Sequence, residues 1–233
     1  MKKLLALALL GSLASTAQAQ TAIKAGTIEL GGSIRYFQTK TDAPYSFNAG
    51  YGESVTTQHT NNKTLSITPS AGYFVANNLA VGIFANYGKS SANNAYDTQY
   101  IGNNFQNSKQ LSIGGFAKYY KMLSDQFGVA GLLGVSYFHT AIDYANQYQS
   151  GAQSSKGEEA SLTPSIVFFP IPRFAIGASI GSLLYSHQKT DLGSRTVNGY
   201  SSPYPDNTLT SSSFGAYFGI DQLAFSGTYY FGR

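Results

Sequence analysis

The chain contains no cysteine and no tryptophan, and only 11% of its residues are charged. Without cysteine there is no disulfide, no metal–thiolate centre and no thiol nucleophile. A soluble domain normally carries about a quarter charged residues, so the low charge argues against an exterior that faces water all round. Long hydrophobic runs are missing as well. Beyond the first 19 residues nothing approaches the ~20 apolar residues that a spanning helix requires, which excludes a helical inner-membrane protein. The basic excess is shallow. Without Lys2 and Lys3 there are 13 basic against 11 acidic residues, so no nucleic-acid partner is read from charge.

What the chain does have is 25 Gly, 18 Tyr and 15 Phe. At its N-terminus Lys2 and Lys3 precede an apolar run over 4–13 and then Ala17-Gln18-Ala19. That order describes a secretory signal peptide over 1–19, cleaved between Ala19 and Gln20, with a single domain over 20–233.

Period-two alternation recurs in eight segments: 27–39, 64–75, 79–87, 109–121, 127–140, 159–169, 174–187 and 211–231. Ile28, Leu30, Ile34 and Tyr36 share one face of the first; Glu29, Ser33, Arg35 and Phe37 share the other. In 223–231, Leu223, Phe225, Gly227, Tyr229 and Phe231 alternate with Ala224, Ser226, Thr228 and Tyr230. Such patterning puts one face in lipid and the other in a polar lumen. The eighth segment exceeds the ~9–11 residues of one crossing, and its apolar phase slips at Asp221-Gln222. One long strand bulged at the slip is expected; a hairpin there, adding a ninth strand, is the alternative.

Connections alternate in length. Those at 76–78, 122–126 and 170–173 are short, whereas 40–63, 91–108, 141–158 and 188–210 are long and rich in Tyr, Asn, Gln, Ser and Gly. Bacterial barrels pair short periplasmic turns with long extracellular loops. Eight strands satisfy that rule with both ends in the periplasm. Tyr73, Tyr119, Phe127, Phe168, Phe174 and Tyr229 fall beside short turns, and Tyr36, Tyr87 and Tyr137 near long loops, as two interfacial girdles. The expected fold is all-β, an eight-stranded antiparallel transmembrane up-and-down β-barrel. Pro69 and Pro164 sit oddly within such strands.

The leader, the alternating strands, the ending SGTYYF and the glycine-rich IGASIGSLLYS together resemble the small outer-membrane β-barrels common in Bacteroidota, termed porin-like. The chain is more distantly similar to the outer membrane protein X type. The resemblance implies an outer-membrane location, lipid as the surrounding partner, and insertion by the barrel-assembly machinery through the C-terminal signature. Here Gly232 and Arg233 follow the terminal aromatic, where the family's signature ends on it.

An eight-stranded barrel is just wide enough to be filled by side chains. Phe37, Phe74, Phe84, Phe116 and Phe138 are assigned inward, which favours a plugged lumen over a water-filled channel. Glu29, Arg35 and Lys118 are also inward and are expected to pair as a buried charge network; the alternative is the charged constriction of a narrow pore. His59, His139 and His187 lack metal-ligand spacing, so neither a metal nor a cofactor is expected. A serine could meet His139 or His187 and Asp143 or Asp191 near the extracellular end, but serine is too common for that to indicate an enzyme.

The strongest functional signal lies in the long connections, which hold Tyr45, Tyr51, Tyr96, Tyr100, Tyr144, Tyr148, Tyr200 and Tyr204 among small polar residues. That composition makes adaptable binding surfaces. A monomeric barrel with a structural or surface-interaction role toward an extracellular ligand is expected, with a small porin as the alternative.

Overall fold

In the computed structural model every described element is a β-strand. The structure describes residues 22–48, 50, 52–98, 100–146, 149–197, 200–203, 207–219 and 223–232, with 194–197 and 200–203 as backbone alone. The leader with its cleavage point, Asp221-Gln222, Tyr51, Tyr148 and Tyr204 lie outside these residues.

Six continuous strands start the wall: β1 (Ile28–Asn48), β2 (Glu53–Ala76), β3 (Leu79–Tyr96), β4 (Asn104–Met122), β5 (Phe127–Ala145) and β6 (Gln149–Ile171). Each pairs antiparallel with the next. The seventh wall strand comes in two pieces, β7 (Phe174–Ser179) and β8 (Gly181–Asp191), both antiparallel to β6. β9 (Ser194–Val197) and β10 (Tyr200–Pro203) form a hairpin laid on the far end of β6. The eighth strand is β11 (Thr208–Phe218) followed by β12 (Ala224–Phe231). β12 pairs with β1 from Ile28↔Phe231 to Ser33↔Ser226 and closes the ring. The fold is the eight-stranded antiparallel up-and-down barrel.

The alternation in the chain is the inside–outside rule of this wall. Ile34, Ile83, Ile113 and Phe214 point outward and are 69%, 66%, 66% and 76% exposed. Their inward neighbours Phe74, Phe116 and Phe138 are buried. Tyr73, Tyr119, Phe127 and Tyr229 stand exposed near the short turns, and Tyr36, Tyr87 and Tyr137 toward the other end. Apolar surface on this scale needs hydrocarbon against it, and the two aromatic rings lie where a bilayer's interfaces would be.

The long connections are mostly not loops. The β1–β2 ladder runs unbroken from Ile28↔Tyr73 to Asn48↔Glu53, and β5–β6 from Phe127↔Phe168 to Ala145↔Ser150. Tyr45, Tyr96 and Tyr144 therefore stand in strands, Tyr200 opens β10, and Tyr100 lies at a tip. Outside the bilayer both faces of a sheet meet water, so pairing continues without the apolar alternation that reveals a strand in sequence. At ~3.4 Å per residue a 24-residue strand such as β2 reaches ~80 Å, about twice what a tilted crossing uses.

The hairpin alternative for 211–231 is excluded by direction. β11 is antiparallel to β8 and β12 to β7, so the two pieces run the same way. Between Phe218↔Gly181 and Ala224↔Ser179 the last strand advances six residues while its partner advances two. The interruption is therefore larger than the single-residue bulge expected.

Both awkward prolines sit where a ladder lapses. Pro69 pairs with Gly32 on one side, while on the other the β2–β3 register skips from Ile67↔Tyr87 to Ser70↔Phe84. Pro164 pairs with Gly131 on β5, and on its other side β6 passes from Leu162↔Leu183 on β8 to Ser165↔Ser179 on β7. A proline has no N–H to donate, so the seventh strand breaks opposite it. Gly181 takes up that break at a φ of 127°, a conformation L side chains rarely adopt.

Candidate functional site

At the end carrying the short turns the lumen is filled by a packed cluster of side chains. Ile23, Phe74, Tyr120, Met122, Phe169 and Tyr230 are each at most 1% exposed and pack as one cluster. Phe74 lies 5.6 Å from Tyr120 and 6.1 Å from Tyr230 between ring centroids, and Phe169 lies 5.3 Å from Tyr230. Ile23 comes from the segment ahead of β1. Its N–H donates to Asn78 Oδ1 at 2.8 Å and its carbonyl accepts from the Asn78 N–H at 2.9 Å. Asn78, the one described non-glycine residue at positive φ (65°), shapes the β2–β3 turn and so clamps the plug.

Immediately above this floor sits a buried polar chain. Tyr120 Oη donates to Glu29 Oε2 at 2.8 Å, and Tyr230 Oη stands 2.9 Å from Tyr120 Oη. Since Tyr120 spends its proton on the carboxylate, Tyr230 donates to Tyr120. Lys118 Nζ approaches Glu29 Oε2 at 3.8 Å and lies 4.8 Å from the Tyr120 ring centroid. Inward-facing Gly72 makes the room: a Cβ there would stand 2.9 Å from Glu29 Cγ and 3.0 Å from Phe116 Cζ.

Of the three charges expected to pair, Glu29 and Lys118 meet and Arg35 does not. Arg35 lies further up β1, exposed, and forms no ion pair among the described residues. The separation follows from β geometry, because inward positions along one strand are spread by ~6.8 Å for every two residues. Among the inward phenylalanines, Phe74, Phe116 and Phe138 are buried, while Phe37 stays 62% exposed in the upper wall.

Between floor and rim the lumen holds a cavity of about 660 Å³. Hydroxyls and amides dominate its wall: Asn86 Nδ2 donates to Ser66 Oγ at 2.7 Å and to Thr68 Oγ1 at 2.6 Å.

At the rim, His59 on β2 sits between two carboxylates. Its Nδ1 is 2.6 Å from Asp42 Oδ1 on β1, and its Nε2 is 3.0 Å from Asp97 Oδ1 just past β3. The hydrogen bond to Asp42 first, then that to Asp97, raises its pKa above the ordinary 6.5. Tyr45 and Tyr96 stack edge-on at 5.1 Å, and Phe47 lies 6.5 Å from Tyr100. His139 stands opposite Lys156, and His187 Nδ1 is 2.7 Å from Ser212 Oγ on the neighbouring strand. The three histidines occupy separate strands and do not converge. No group of three or more His, Asp or Glu placed to hold a metal occurs among the described residues.

Sequence reasoning overlooked Ile23, Tyr120 and Tyr230 as a plug, and Asp42–His59–Asp97 as a cluster. A signal for the plug was present: Phe74, Tyr120, Phe169 and Tyr230 are bulky inward residues next to the same barrel end. Phe225, Gly227, Tyr229 and Phe231 lie on the exterior of β12, and Leu223 is exposed just ahead of it.

The class defined by this geometry is a lipid-facing eight-stranded barrel with a packed floor and a tall polar rim. No protein-family model matches the chain, and no curated protein matches it by sequence. Among solved structures it is similar to the outer membrane protein OprG from Pseudomonas aeruginosa, with 18% identity over 90% of this chain and 98% of that one and a TM-score of 0.48. Neisserial surface protein A is 13% identical over 88% and 97%, with a TM-score of 0.40. Ail, the attachment invasion locus protein of Yersinia pestis, is 14% identical over 89% and 99%, with a TM-score of 0.39.

Proposed function

We propose that the protein is a monomeric, non-enzymatic barrel of the Gram-negative outer membrane that binds at the cell surface and does not conduct. In this reading residues 1–19 are a cleaved signal peptide, the exterior ending of β12 is read by the barrel-assembly machinery, and the kinship is with small barrels of the outer membrane protein X kind. Short turns face the periplasm, so the floor is periplasmic and the cavity and rim open outward.

The observation that carries the reading is the floor itself, where Ile23, Phe74, Tyr120, Phe169 and Tyr230 are buried and fill the lumen as one packed cluster. The rim supports the binding half. Tyr45, Tyr96 and Tyr144 stand on paired strands, and Tyr45 and Tyr96 are in ring contact, so little order has to be created there on binding an extracellular ligand.

Planar-bilayer recording of the refolded protein tests the first half. Silence is expected, and steady resolvable conductance would replace the reading with a small porin. Adhesion of cells displaying wild type or a variant with Tyr45, Tyr96 and Tyr100 changed to Ser tests the second. Equal adhesion, with equal surface display, would remove the rim from the account.

A further inference from the structure

The lysines of the upper wall are arranged in a way that the fold does not require. Lys40, Lys63, Lys89, Lys109, Lys156 and Lys189 are all exposed. Register places each on the outward face: Lys63 shares its face with Leu65 and Ile67, Lys89 with Tyr87, and Lys109 with Leu111. On consecutive strands each stands where the lipid-facing apolar run gives way to polar residues. His139 fills the corresponding place on β5, opposite Lys156. The result is a basic belt at the level of one bilayer interface, the one away from the short turns.

Two pairs within the belt are directly opposed across a ladder. Lys89 is the register partner of Lys109, and Lys156 of Lys189. Like charges directly opposite on one face of a sheet destabilise it. Among the described residues none of the six lysines forms an ion pair. The acids facing the belt are few. Glu158 and Asp191 flank the Lys156–Lys189 pair two residues along on the same faces, and Asp42 is engaged by His59, whereas the same-face neighbours of Lys89 and Lys109 along their own strands are Tyr87, Ser91, Asn107 and Leu111. Lysine pairs that form no ion pair at a membrane interface, Lys89–Lys109 above all, make a receptacle for a doubly charged anion, in which each ammonium donates to a phosphate oxygen and the mutual repulsion is cancelled.

We propose that this belt is a binding surface for phosphate groups of an anionic glycolipid in the outer leaflet. The apolar band immediately below would receive the same lipid's acyl chains while the lysines hold its headgroup. The inference rests on the outer-membrane reading for the identity of the leaflet, although the chemistry of the belt does not.

The test uses full-length barrel refolded in nonionic detergent and titrated with a phosphorylated disaccharide glycolipid, with the same lipid after dephosphorylation, and with inorganic phosphate. Binding and thermal stabilisation are expected with the first alone. K89Q/K109Q and K156Q/K189Q should each weaken binding by about tenfold or more, and added salt should weaken wild type. K24Q/K121Q, at the opposite end, should bind as wild type does. In lipid-free detergent K89Q/K109Q should be at least as stable as wild type, because the substitution removes a repulsion.

Equal affinity for the phosphorylated and dephosphorylated lipid would overturn the proposal, as would an equal loss in K24Q/K121Q. A K89Q/K109Q barrel less stable without lipid would assign the lysines to the fold instead. Stabilisation by inorganic phosphate to the same extent would reduce the belt to an unspecific anion site. Labelling intact cells with a membrane-impermeant amine reagent separates failure of the location from failure of the site. An unlabelled belt in cells that nonetheless binds phosphorylated lipid in detergent refutes the leaflet and keeps the chemistry.

Discussion

The phenol of Tyr120 donates at 2.8 Å to the carboxylate of Glu29, joining positions 91 residues apart across the lumen. The bond holds a charge that is almost fully buried, and Lys118 at 3.8 Å completes its neutralisation. It also fixes the Tyr120 ring in the floor, so one contact serves both closure of the lumen and satisfaction of a buried acid. Replacing Tyr120 with Phe keeps the ring packing and removes the donor. A loss of about 1–3 kcal/mol is expected, the usual cost of leaving a buried polar group unmet. Urea unfolding followed by tyrosine fluorescence, free of tryptophan background in this chain, would measure it.

Removing one member of the Glu29–Lys118 pair should cost more than removing both. Glu29→Gln strands the ammonium in the lumen and is expected to destabilise by about 3 kcal/mol. Glu29→Gln with Lys118→Met should recover much of that loss. Additive losses in a double-mutant cycle would mean that the two groups do not interact.

The floor predicts a gain of function. Tyr120→Ala with Tyr230→Ala removes two rings and their hydroxyl chain from the cluster. If the floor is what blocks the lumen, this variant should show bilayer conductance that wild type lacks. A silent double variant would place the block higher, at Phe116 or Phe138.

His59 predicts a pH dependence at the rim. Its pKa in the folded protein is raised by Asp42 and Asp97, so the protonated ring is favoured by folding. The clip therefore holds fully below the ordinary value of 6.5 and is lost as pH rises through the raised folded value. Amide protection near His59, corrected for the intrinsic base-catalysed rate, should fall across that window, and His59→Asn should abolish that fall. A titration by NMR giving a value at or below 6.5 would contradict the geometry.

Glycines separate turn chemistry from mere smallness. A Cβ on Gly181 would overlap the Tyr217 carbonyl oxygen, and the backbone sits at a φ of 127°. Gly181→Ala should destabilise by at least about 1–3 kcal/mol, or shift the eighth strand. Gly131 faces open space, and Gly131→Ala should be close to neutral in the same unfolding assay.

The barrel was legible because lipid on one side of a wall imposes period two on every strand that crosses it. Ile28 to Tyr36 and Phe225 to Phe231 carry that imprint plainly. The extensions holding Tyr45, Tyr96 and Tyr144 were read as loops because water on both faces leaves no alternation to read. The floor was hidden for a different reason. Tyr230 alternates as a member of the polar face, and nothing local tells a tyrosine that lines a lumen from one that fills it.

By itself, then, the chain determined which face of each strand meets lipid and which end carries the turns, since these follow from local periodicity and spacing. Only the tertiary structure decided that Tyr230 reaches Tyr120 across 110 residues, that Arg35 stands apart from Glu29, and that Lys89 faces Lys109. Those relationships depend on the register of every ladder around the ring. A slip of one residue in any ladder would turn inward groups outward, and closure is the condition that fixes them all together.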